Sequence, residues 1–469
     1  MPSLFLRLLA PPPTFTPNPS PYLDPNGKKY SFNSLSYSSR MKTMLNARMC
    51  ISSIRANSCS ARYAVLGAGF AGLSVAWHLL QHSPKDSHLC IDIYDEVGIG
   101  GAASGVSGGL LHPYSPKVKV LWRGEDCWNE CLRLLSVAER AIEARGFDSI
   151  NQDSSFFCMD EPIVCRRGIL RTMMTEKNVE IMKENARTCI ENCNLELLDK
   201  DAAQNLVPHL HVPLNAAVYM PQALSIRPTH YLQALFAACK NQAYELCVSF
   251  SKKVEVNLYK ESINTLCELA GKYNAVIICL GAKVDMLPEL SGKLPLRTCR
   301  GVVAQLNLSA HSRDEYRCNS PSILSDAWLS FQGPRTVLMG STWDWSLKYY
   351  SSSVCEDESS MALQELLPKA SAVYPSIREW TFIRARAGLR AMPPLTNLGS
   401  LPILGCVNDA VKPKNRCMYW LFGGLGSRGL LYHAFLGKLL ARAVVSDDEM
   451  VLPPELTSWK QMKVWKYNL

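Results

Sequence analysis

The stretch Tyr63–Leu80, YAVLGAGFAGLSVAWHLL, decides the fold of this chain. Its apolar start predicts a buried strand, and its second half predicts an amphipathic helix. Between them Gly67, Gly69 and Gly72 form the pattern G-x-G-x-x-G, which indicates dinucleotide binding when a strand precedes it and a helix follows. We expect Gly67 to form the tight turn and Gly69 to admit a pyrophosphate. Gly72 would let the helix pack closely on the strand.

A second strand supplies the acid that this pattern requires. The segment Leu89–Asp95, LCIDIYD, alternates apolar residues and ends in Asp95. An acid about 20 residues after the glycine pattern binds a ribose hydroxyl in dinucleotide-binding folds. The alternative is a strand, turn and helix without a ligand. The combination of glycine turn, helix and terminal acid favours a nucleotide.

Further glycine-rich turns follow strands elsewhere in the chain. The loop Gly98–Pro113, GIGGAASGVSGGLLHP, predicts close approach of a flat ligand, with a flexible linker as the alternative. The apolar run Tyr273–Ala282 ends in a glycine turn and is typical of a buried parallel strand. Tyr419–Val445 repeats the order strand, glycine turn, helix. Both ends of the sequence therefore predict contacts with one long dinucleotide.

Periodicity predicts the remaining elements. The segments with a helical pattern are residues 124–146, 171–206, 226–240 and 358–373. The segments with a strand pattern are Tyr244–Phe250, Lys253–Tyr259, residues around Ile263, Leu296–Leu308, residues 334–343 and the residues after Trp380.

Residues 1–60 differ in composition from the rest of the chain. The sequence has 469 residues, is 47% hydrophobic and carries a net charge of +9. The first 60 residues are rich in Ser and Pro and hold seven Lys and Arg residues against one acid, Asp24. This composition predicts a transit peptide for the chloroplast, with the mitochondrion second and a disordered tail as the alternative. No downstream stretch is apolar enough to predict a membrane span.

Cysteine and histidine spacing does not predict a metal or disulfide framework. No C-x-x-C occurs among the 18 cysteines, and Cys127/Cys131 and Cys189/Cys193 have the spacing of neighbours on a helix. Reduced core thiols are the simplest interpretation. His209–His211 could direct two imidazoles to one side of a strand, but two histidines alone do not predict a metal site.

Arginines stand out in two places. Arg166, Arg167 and Arg171 form a basic trio, for which a solvated face is favoured over contact with RNA or phosphate. Arg384–Gly405, RARAGLRAMPPLTNLGSLPILG, places arginines in an apolar, turn-rich stretch. Such arginines need an anionic partner, either internal or in a ligand.

These motifs, in this order, resemble one family. From Arg62 to about Val445 the chain is similar to the FAD-dependent oxidoreductases of the D-amino-acid oxidase and glycine oxidase type. Within it, ARAGLR (Ala385–Arg390) and GLGSRGL (Gly424–Leu430) look most like the oxidase domain of a bifunctional bacterial enzyme that modifies the wobble uridine of tRNA. The nucleotide motifs are shared by many flavoproteins, whereas the two C-terminal motifs are more specific.

The resemblance implies an α/β fold with a discontinuous Rossmann-like FAD-binding domain and a second, mixed or antiparallel-sheet substrate domain. The FAD-binding domain would comprise residues 61–125, 219–292 and 386–447. The substrate domain would comprise residues 126–218 and 293–385, leaving 1–60 as the transit segment and 448–469 as a C-terminal tail.

The resemblance also implies a chemistry and a set of site residues. Family members oxidise a C–N bond of an amine or amino acid, usually with O2 as acceptor. By this analogy Arg390 would bind a substrate carboxylate as a two-pronged clamp, and Arg428 would lie near the flavin pyrimidine with the N–H groups of residues 426–427. The residues expected to bind FAD are Gly67, Gly69, Phe70, Ala71, Gly72, Asp95, Ser104, Gly105, Gly109, Leu110, Val254, Gly281, Gly424, Leu425, Gly426, Ser427, Arg428 and Gly429.

The chain departs from the family at three points, and each leaves an alternative open. No methyltransferase half precedes the oxidase, so the tRNA pathway does not transfer directly. The turn after GLR reads PPLTNLGS and lacks the usual acidic-glycine pair. Gly388 stands where the sarcosine-oxidase branch attaches FAD through cysteine, so non-covalent FAD is expected. Beside a small-molecule amine oxidase, the alternatives are an oxidase of a modified uridine in organellar tRNA and a non-catalytic FAD-binding protein. A nicotinamide-dependent dehydrogenase would leave the C-terminal glycine motif unexplained.

Overall fold

This computed structural model describes residues 60–148, 162–308, 319–333, 335–346, 350–413 and 416–462. The predicted transit peptide lies outside these residues, apart from Ser60. The described residues group into one compact unit, and the division into two domains stays a prediction. None of the helices among the described residues is both long and apolar enough to cross a membrane.

The strands of the described residues are numbered in chain order. They are β1 Ala61–Leu66, β2 Leu89–Tyr94, β3 Leu110–Leu111, β4 Val164–Cys165, β5 Ile169–Thr172, β6 Glu196–Leu198, β7 Ala217–Met220, β8 Leu224–Ile226, β9 Val254–Tyr259, β10 Ala275–Ile278, β11 Arg297–Asn307, β12 Ser322–Ile323, β13 Trp328–Phe331, β14 Thr336–Gly340, β15 Thr381–Met392, β16 Leu395–Thr396, β17 Gly399–Ser400, β18 Ile403–Cys406 and β19 Met418–Gly423.

The helices are numbered in the same way. They are α1 Phe70–His82, α2 Ala103–Val106, α3 Gly124–Asp148, α4 Glu176–Ala186, α5 Lys200–Leu206, α6 Pro228–Phe250, α7 Glu356–Ser371, α8 Asn408–Val411, α9 Gly429–Ser446 and α10 Pro454–Thr457. Short 3₁₀ turns cover Leu266–Leu269, Gly281–Met286, Pro375–Glu379, Glu449–Val451 and Ser458–Gln461.

A six-stranded sheet contains the strand that opens the glycine pattern. Its order is β18-β19-β10-β1-β2-β9, and every pair is parallel except β18 with β19. Val65 and Ile277 face each other across β1 and β10 and are fully buried. The continuous apolar runs on these strands fit a parallel sheet covered on both faces. The carboxyl ends of five parallel strands thus meet at one edge, where ligands bind in such folds.

The glycine turn has the close packing that its sequence predicts. Gly67 has a φ of +106°, and a Cβ built there would lie 2.5 Å from the carbonyl oxygen of Cys279. A Cβ at Gly72 would overlap the carbonyl oxygen of Gly67. Only glycine at both positions therefore lets α1 start directly against β1 and β10.

An eight-stranded mixed sheet forms the second layer, in the order β15-β11-β14-β13-β12-β5-β7-β6. Its longest pairing is β11 with β15, which is antiparallel and brings Gly301 opposite Gly388. A separate apolar cluster that includes Phe331, Leu366 and Tyr374 packs beneath this sheet. The mixed sheet thus has its own core and lays the Gly388–Arg390 segment over the glycine turns.

Several predictions of secondary structure were wrong. Tyr244–Phe250 is not a strand but the last part of α6, and no strand forms around Ile263. Residues 171–206 are not one helical region, because β5 and β6 flank α4 there. Cys189 and Cys193 lie beyond the end of α4, where Ile190 and Cys193 form an isolated bridge. The described cysteines are all free thiols.

The C-terminal helix α9 packs along α1. A Cβ at Gly437 would overlap the Ser74 hydroxyl, so the two helices nearly touch. That hydroxyl donates to the carbonyl oxygen of His433 at 2.8 Å. The His433 ring lies between two partners, the Tyr231 hydroxyl at Nε2 (2.7 Å) and the Leu430 carbonyl at Nδ1 (2.8 Å). Two segments about 360 residues apart in the chain are therefore joined through buried polar contacts.

Buried histidines, His78 and His433 among them, make the stability of this fold dependent on pH. Burial lowers the pKa of His433 to about 4 and that of His78 to about 3. Glu130 approaches His78 Nε2 at 3.9 Å. The other carboxylate oxygen of Glu130 binds Arg133 (2.7 Å) and Lys438 (2.8 Å). Burial, and not the charge of Glu130, therefore sets the direction of the pKa shift of His78. Both imidazoles are neutral near neutral pH.

We expect the free energy of unfolding to fall as the pH drops from about 6.5 to about 4. In this window the unfolded chain protonates both histidines while the folded chain does not, so the unfolded state binds more protons. Each histidine adds up to about 1.4 kcal/mol per pH unit. Urea unfolding at several pH values, compared between wild type and His78→Gln, measures this slope. Equal slopes in the two proteins would contradict the assignment to His78.

Candidate active site

The largest cavity that carries predicted site residues lies where the parallel strands end against the mixed sheet. Its volume is about 510 Å³. The turns after β1, β10 and β19 line one side, and β11, β15 and the residues before β13 line the other. Predicted site residues in its wall are Gly69, Phe70, Ala71, Ser104, Gly109, Leu110, Gly281, Gly424, Leu425, Gly426, Ser427, Arg428, Gly429 and Arg390.

A smaller cavity of about 170 Å³ continues from the first. The two share Gly69, Ser104 and Gly281 in their walls, among other residues, so they form one elongated groove. The smaller cavity adds Gly67 and Asp95 from the predicted set. A ligand that spans this groove would lie across the carboxyl ends of the sheet, with its ends in different cavities.

Glycine backbones keep this groove open. Gly281 has a φ of +56°, and a Cβ built on it meets no atom within 4 Å, because it would point into open space. Gly424 and Gly426 also have positive φ, at +70° and +54°. The N–H of Gly426 donates to the carbonyl oxygen of Ala391 at 2.9 Å. It is therefore already used, and the expectation that it faces a flavin is not supported by this geometry.

The Asp95 carboxylate connects the glycine turn after β1 with the loop after β2 through hydrogen bonds. One carboxylate oxygen accepts from the N–H of Ala68 at 2.8 Å. The other accepts from Val97 (3.1 Å) and Gly98 (2.9 Å). A carboxylate offers about four acceptor positions. One therefore remains for a hydroxyl in the smaller cavity, whose wall Asp95 forms.

Arg390 is held in place by neutral groups. Nη1 donates to the Ser341 hydroxyl at 3.2 Å, and Nη2 donates to the Thr342 carbonyl at 2.9 Å and to the Cys299 sulfur at 3.5 Å. Trp343 lies against the guanidinium, 4.0 Å from its ring centre. Burial lowers the pKa of Arg390.

Among the described residues, no Asp or Glu forms an ion pair with Arg390. The first of the two partners considered for this arginine, an internal acid, is therefore not observed there. Its Nε is buried without a hydrogen-bond partner in the same part of the chain. Both hydrogens of Nη2 are engaged, one of them by a thiol, which is a weak acceptor. A carboxylate that displaced this sulfur could accept hydrogen bonds from two N–H groups of the guanidinium.

A second cationic group occupies another part of the cavity wall. Arg428 is the N-cap of α9, and burial lowers its pKa. His112 is buried there, and its Nδ1 accepts from the N–H of Tyr114 at 3.3 Å. Burial and the charges of Arg428 and Arg171 hold the pKa of His112 well below its ordinary value. The imidazole is therefore neutral, with its proton assigned to Nε2 because Nδ1 accepts.

Three predicted FAD contacts do not line the groove. Gly72 packs on Gly67, as described above. Gly105 packs against the carbonyl oxygen of Gly100 and lines a third cavity beside the groove. Val254 pairs with Leu89 at the opposite end of the sheet from the groove, so its assignment was wrong.

The structure also adds residues that the sequence analysis did not select. Residues 261–264 line the smaller cavity beyond the end of β9. Glu96 binds Lys283 at its rim, and this contact lowers the pKa of Glu96. Arg171 lines the large cavity, whereas Arg166 lies on the surface and pairs with Glu139. The basic trio is therefore not one solvated face.

Comparison with known families identifies the architecture. The model of the DAO family, described as FAD dependent oxidoreductase, matches residues 62–443. The chain belongs to this family. It is thus an FAD-dependent oxidoreductase with the α/β fold and mixed sheets of the DAO type. A search of curated proteins found no match.

Solved structures share the fold of this oxidoreductase at low sequence identity. Glycine oxidase from Geobacillus kaustophilus is 17% identical, with a TM-score of 0.61 over 85% of this chain and 98% of that one. Iminodiacetate oxidase from Chelativorans sp. BNC1 is 18% identical, with a TM-score of 0.60 over 84% and 98%. L-alpha-glycerophosphate oxidase from Mycoplasma pneumoniae, a structure with FAD bound, is 13% identical, with a TM-score of 0.56 over 82% and 95%.

The groove fits the cofactor of this family. It is elongated, follows the carboxyl ends of parallel strands and has glycine backbone where a side chain would fill it, above all at Gly281. Asp95 suits the ribose. The N-cap of α1 is Gly69, which has no side chain, and the N–H of Phe70 donates to the Ser104 hydroxyl at 3.1 Å. Within the described part of the chain, no group of three or more His, Cys, Asp or Glu residues could hold a metal ion.

The placement of residues 261–264 makes a prediction about FAD affinity. Replacing Ile263, which lines the smaller cavity, by Ala should weaken FAD binding by about 1 kcal/mol, since it removes apolar contact area. Val254→Ala should lower stability by a similar amount but leave FAD affinity unchanged. Titration of the two apoproteins with FAD, followed by fluorescence, checks both. Weaker binding in the Val254 variant would restore the original assignment.

Proposed function

We propose that this chain oxidises a C–N bond of an amine or amino acid that carries a carboxylate, and that Arg390 binds this carboxylate. The observation that carries the proposal is a partly buried guanidinium in the cavity wall that is fixed by neutral groups and lacks an ion-pair partner among the described residues. Such a cation favours an anionic ligand. Glycine oxidase and iminodiacetate oxidase, which share the fold, are named for amino-acid substrates.

The reaction balances as a two-electron oxidation. When bound, FAD supplies the hydride acceptor at N5 and can return the electrons to O2, giving hydrogen peroxide. The substrate loses a hydride from carbon and a proton from nitrogen, so its C–N single bond becomes C=N, which water then hydrolyses. Arg390 would fix the carboxylate and thereby orient the reacting carbon. Arg428 and neutral His112 would provide positive potential and a hydrogen-bond donor in the same cavity.

We propose that FAD is bound without a covalent bond. A Cβ at Gly388 would lie 2.8 Å from Cα of Ala103, so a cysteine at this position would not fit. Cys279 lines both cavities, but burial raises its pKa and keeps it a thiol, which is a poor nucleophile. Denaturation followed by ultrafiltration should therefore release all yellow colour from the protein. Flavin retained with the denatured chain would show a covalent link.

The test of the proposed function is the visible spectrum of the FAD-loaded full chain under argon. Glycine, sarcosine and a set of D-amino acids are added in turn. Bleaching of the flavin bands by one of them, followed by peroxide formation on admitting air, is the expected result. A flavin that none of these compounds reduces, although dithionite reduces it, would contradict the proposal.

A second candidate is an oxidase of a modified uridine in organellar tRNA, which predicts a basic surface near the flavin. A cavity of about 230 Å³ shares Val106 and Val303 with the large cavity and is lined by Arg227, Arg384 and Arg386, with no Asp or Glu in its lining. This candidate predicts tRNA binding that weakens with salt and with Arg386→Gln. Absence of tRNA binding at low salt would exclude it.

We propose the chloroplast as the destination of this protein. The support is the Ser-rich, Arg-containing and acid-poor composition of residues 1–60. A fusion of these residues to a fluorescent protein should be imported into chloroplasts and shortened. Accumulation in mitochondria would favour the second assignment, and diffuse fluorescence would show that the segment is not a transit peptide.

A further inference from the structure

Arg171 is a third cationic side chain in the wall of the large cavity, beside Arg390 and Arg428, and it forms no ion pair with an acid among the described residues. It lies on β5 and lines the cavity together with Ser325 and Asp326. Its Nε is buried and makes no hydrogen bond within the described residues. Asp326 lies near enough to raise the pKa of Arg171, but burial lowers that pKa more. Asp326 itself is exposed and forms no ion pair with Arg171.

Among the described residues, Asp326 places an exposed negative charge near Arg171, and Arg428 places a further positive charge near it. The charge of Arg171 contributes to lowering the pKa of Arg428, and both arginine charges contribute to lowering the pKa of His112. His112 is neutral and cannot serve as an anion. A partly buried guanidinium in such a place costs free energy unless an anion joins it. The cavity wall therefore calls for negative charge at Arg171 in addition to that at Arg390.

The two arginines lie far apart in the sheet. Arg390 is on β15 and Arg171 is on β5, and four strands lie between them in the sheet order. With about 4.8 Å between neighbouring strands, the path along the sheet is roughly 24 Å before twist and side-chain length shorten it. One carboxylate cannot bind both guanidinium groups. The anion at Arg171 belongs to a different part of the ligand.

We propose that the substrate carries a second carboxylate, separated from the reacting C–N bond, and that Arg171 binds it. This inference rests on the proposed function and names the substrate class as an extended amino dicarboxylate. Arg390 would hold the carboxylate next to the reacting carbon, and Arg171 would select compounds with a negative charge at the far end. The competing occupant of the same position is the flavin itself, whose pyrimidine could also draw on the charge of Arg171.

The experiment compares acids with their neutral isosteres. The probes are N-(ω-carboxyalkyl)glycines of increasing spacer length, beginning with iminodiacetate, and the corresponding ω-amides. The FAD-loaded full chain is titrated under argon. Dissociation constants come from the perturbation of the oxidised flavin spectrum, which needs no turnover, and rates come from its bleaching. The variants are Arg171→Gln, Arg171→Lys as a conservative replacement, and Arg166→Gln as a surface control beyond the cavity.

In wild type and Arg166→Gln, at least one acid should bind about tenfold or more tightly than its amide, as expected for a hydrogen-bonded charge pair. Arg171→Gln should abolish this preference, and Arg171→Lys should keep part of it. Lack of preference at every spacer length, or a preference that survives in Arg171→Gln, would overturn the proposal. So would an equal weakening of acids and amides together with a shifted flavin potential, which would assign Arg171 to the cofactor. Bleaching by sarcosine in all proteins would leave the proposed function intact in each of these cases.

Discussion

Arg390→Gln should retain FAD and lose the response to substrate. The variant removes the only positive charge of β15 that lines the large cavity, so the substrate carboxylate loses its partner. Breaking a buried charge pair costs about 2–5 kcal/mol, which lowers the rate of flavin bleaching at low substrate concentration by about 30-fold or more. Stopped-flow reduction under argon measures this ratio.

Arg384→Gln is the matched control for this result. Arg384 lies on the same strand but is exposed, donates to the Gln305 side chain at 2.8 Å and does not line the large cavity. It should bleach at the wild-type rate. If Arg390→Gln also bleached normally, the carboxylate clamp would be wrong. If the wild type itself never responded to any amine, the non-catalytic alternative would gain support.

Gly72→Ala should prevent FAD binding and destabilise the fold. The added methyl group would overlap the carbonyl oxygen of Gly67, which is backbone and cannot rotate away. Either α1 moves off β1 or the glycine turn changes shape, and both alter the site for the pyrophosphate. We expect a loss of about 3 kcal/mol in the free energy of unfolding and a colourless purified protein. Urea unfolding and the visible spectrum measure the two effects.

The control for Gly72 is a disruption elsewhere in the same helix. Gln81→Gly, at an exposed position near the end of α1, should cost about 1 kcal/mol through helix propensity alone. It should keep its yellow colour. A colourless Gln81 variant would show that FAD loss follows from any weakening of α1, and a yellow Gly72 variant would show that the close approach is dispensable.

Local sequence was sufficient for the nucleotide half of the fold. The turns at Gly67 and Gly424 each combine an apolar strand, glycines at required positions and an amphipathic helix within about 25 residues. Physical constraints of this kind act between neighbours in sequence, so they can be interpreted without knowing the rest of the chain. Helix α6 likewise begins at Pro228, as its sequence predicts.

Local sequence did not predict the secondary structure or the groove-lining residues that depend on contacts between distant parts of the chain. Tyr244, Leu246, Val248 and Phe250 alternate as in a strand, yet they continue α6, and Tyr244 is 72% and Val248 65% exposed. Extending an existing helix is cooperative, and this favoured the helix over the strand that the alternating apolar pattern of residues 244–250 predicted. Residues 261–264 carry no motif and reach the groove only because β9 pairs with β2.

The position of Arg171 shows the same limit within the candidate site. Its basic neighbours in sequence favoured a solvated face. Which of the three arginines turns inward depends on the pairing of β5 with β12 and β7, strands that lie far from it in the chain. The cavity wall at this point consists of side chains from segments between residues 112 and 428. No local sequence pattern predicts which of these side chains meet.

The strand order of the parallel sheet has a consequence for biosynthesis. β1 lies between β2 and β10, while β19 and α9 are the late segments that close the sheet and cover α1. A nascent chain therefore exposes the apolar face of α1 until residues 418–446 have left the ribosome. Because this contact joins segments from opposite ends of the described chain, we expect the nucleotide site to complete its folding late in synthesis or after it. Premature stop codons anywhere before that point should yield no flavoprotein at all.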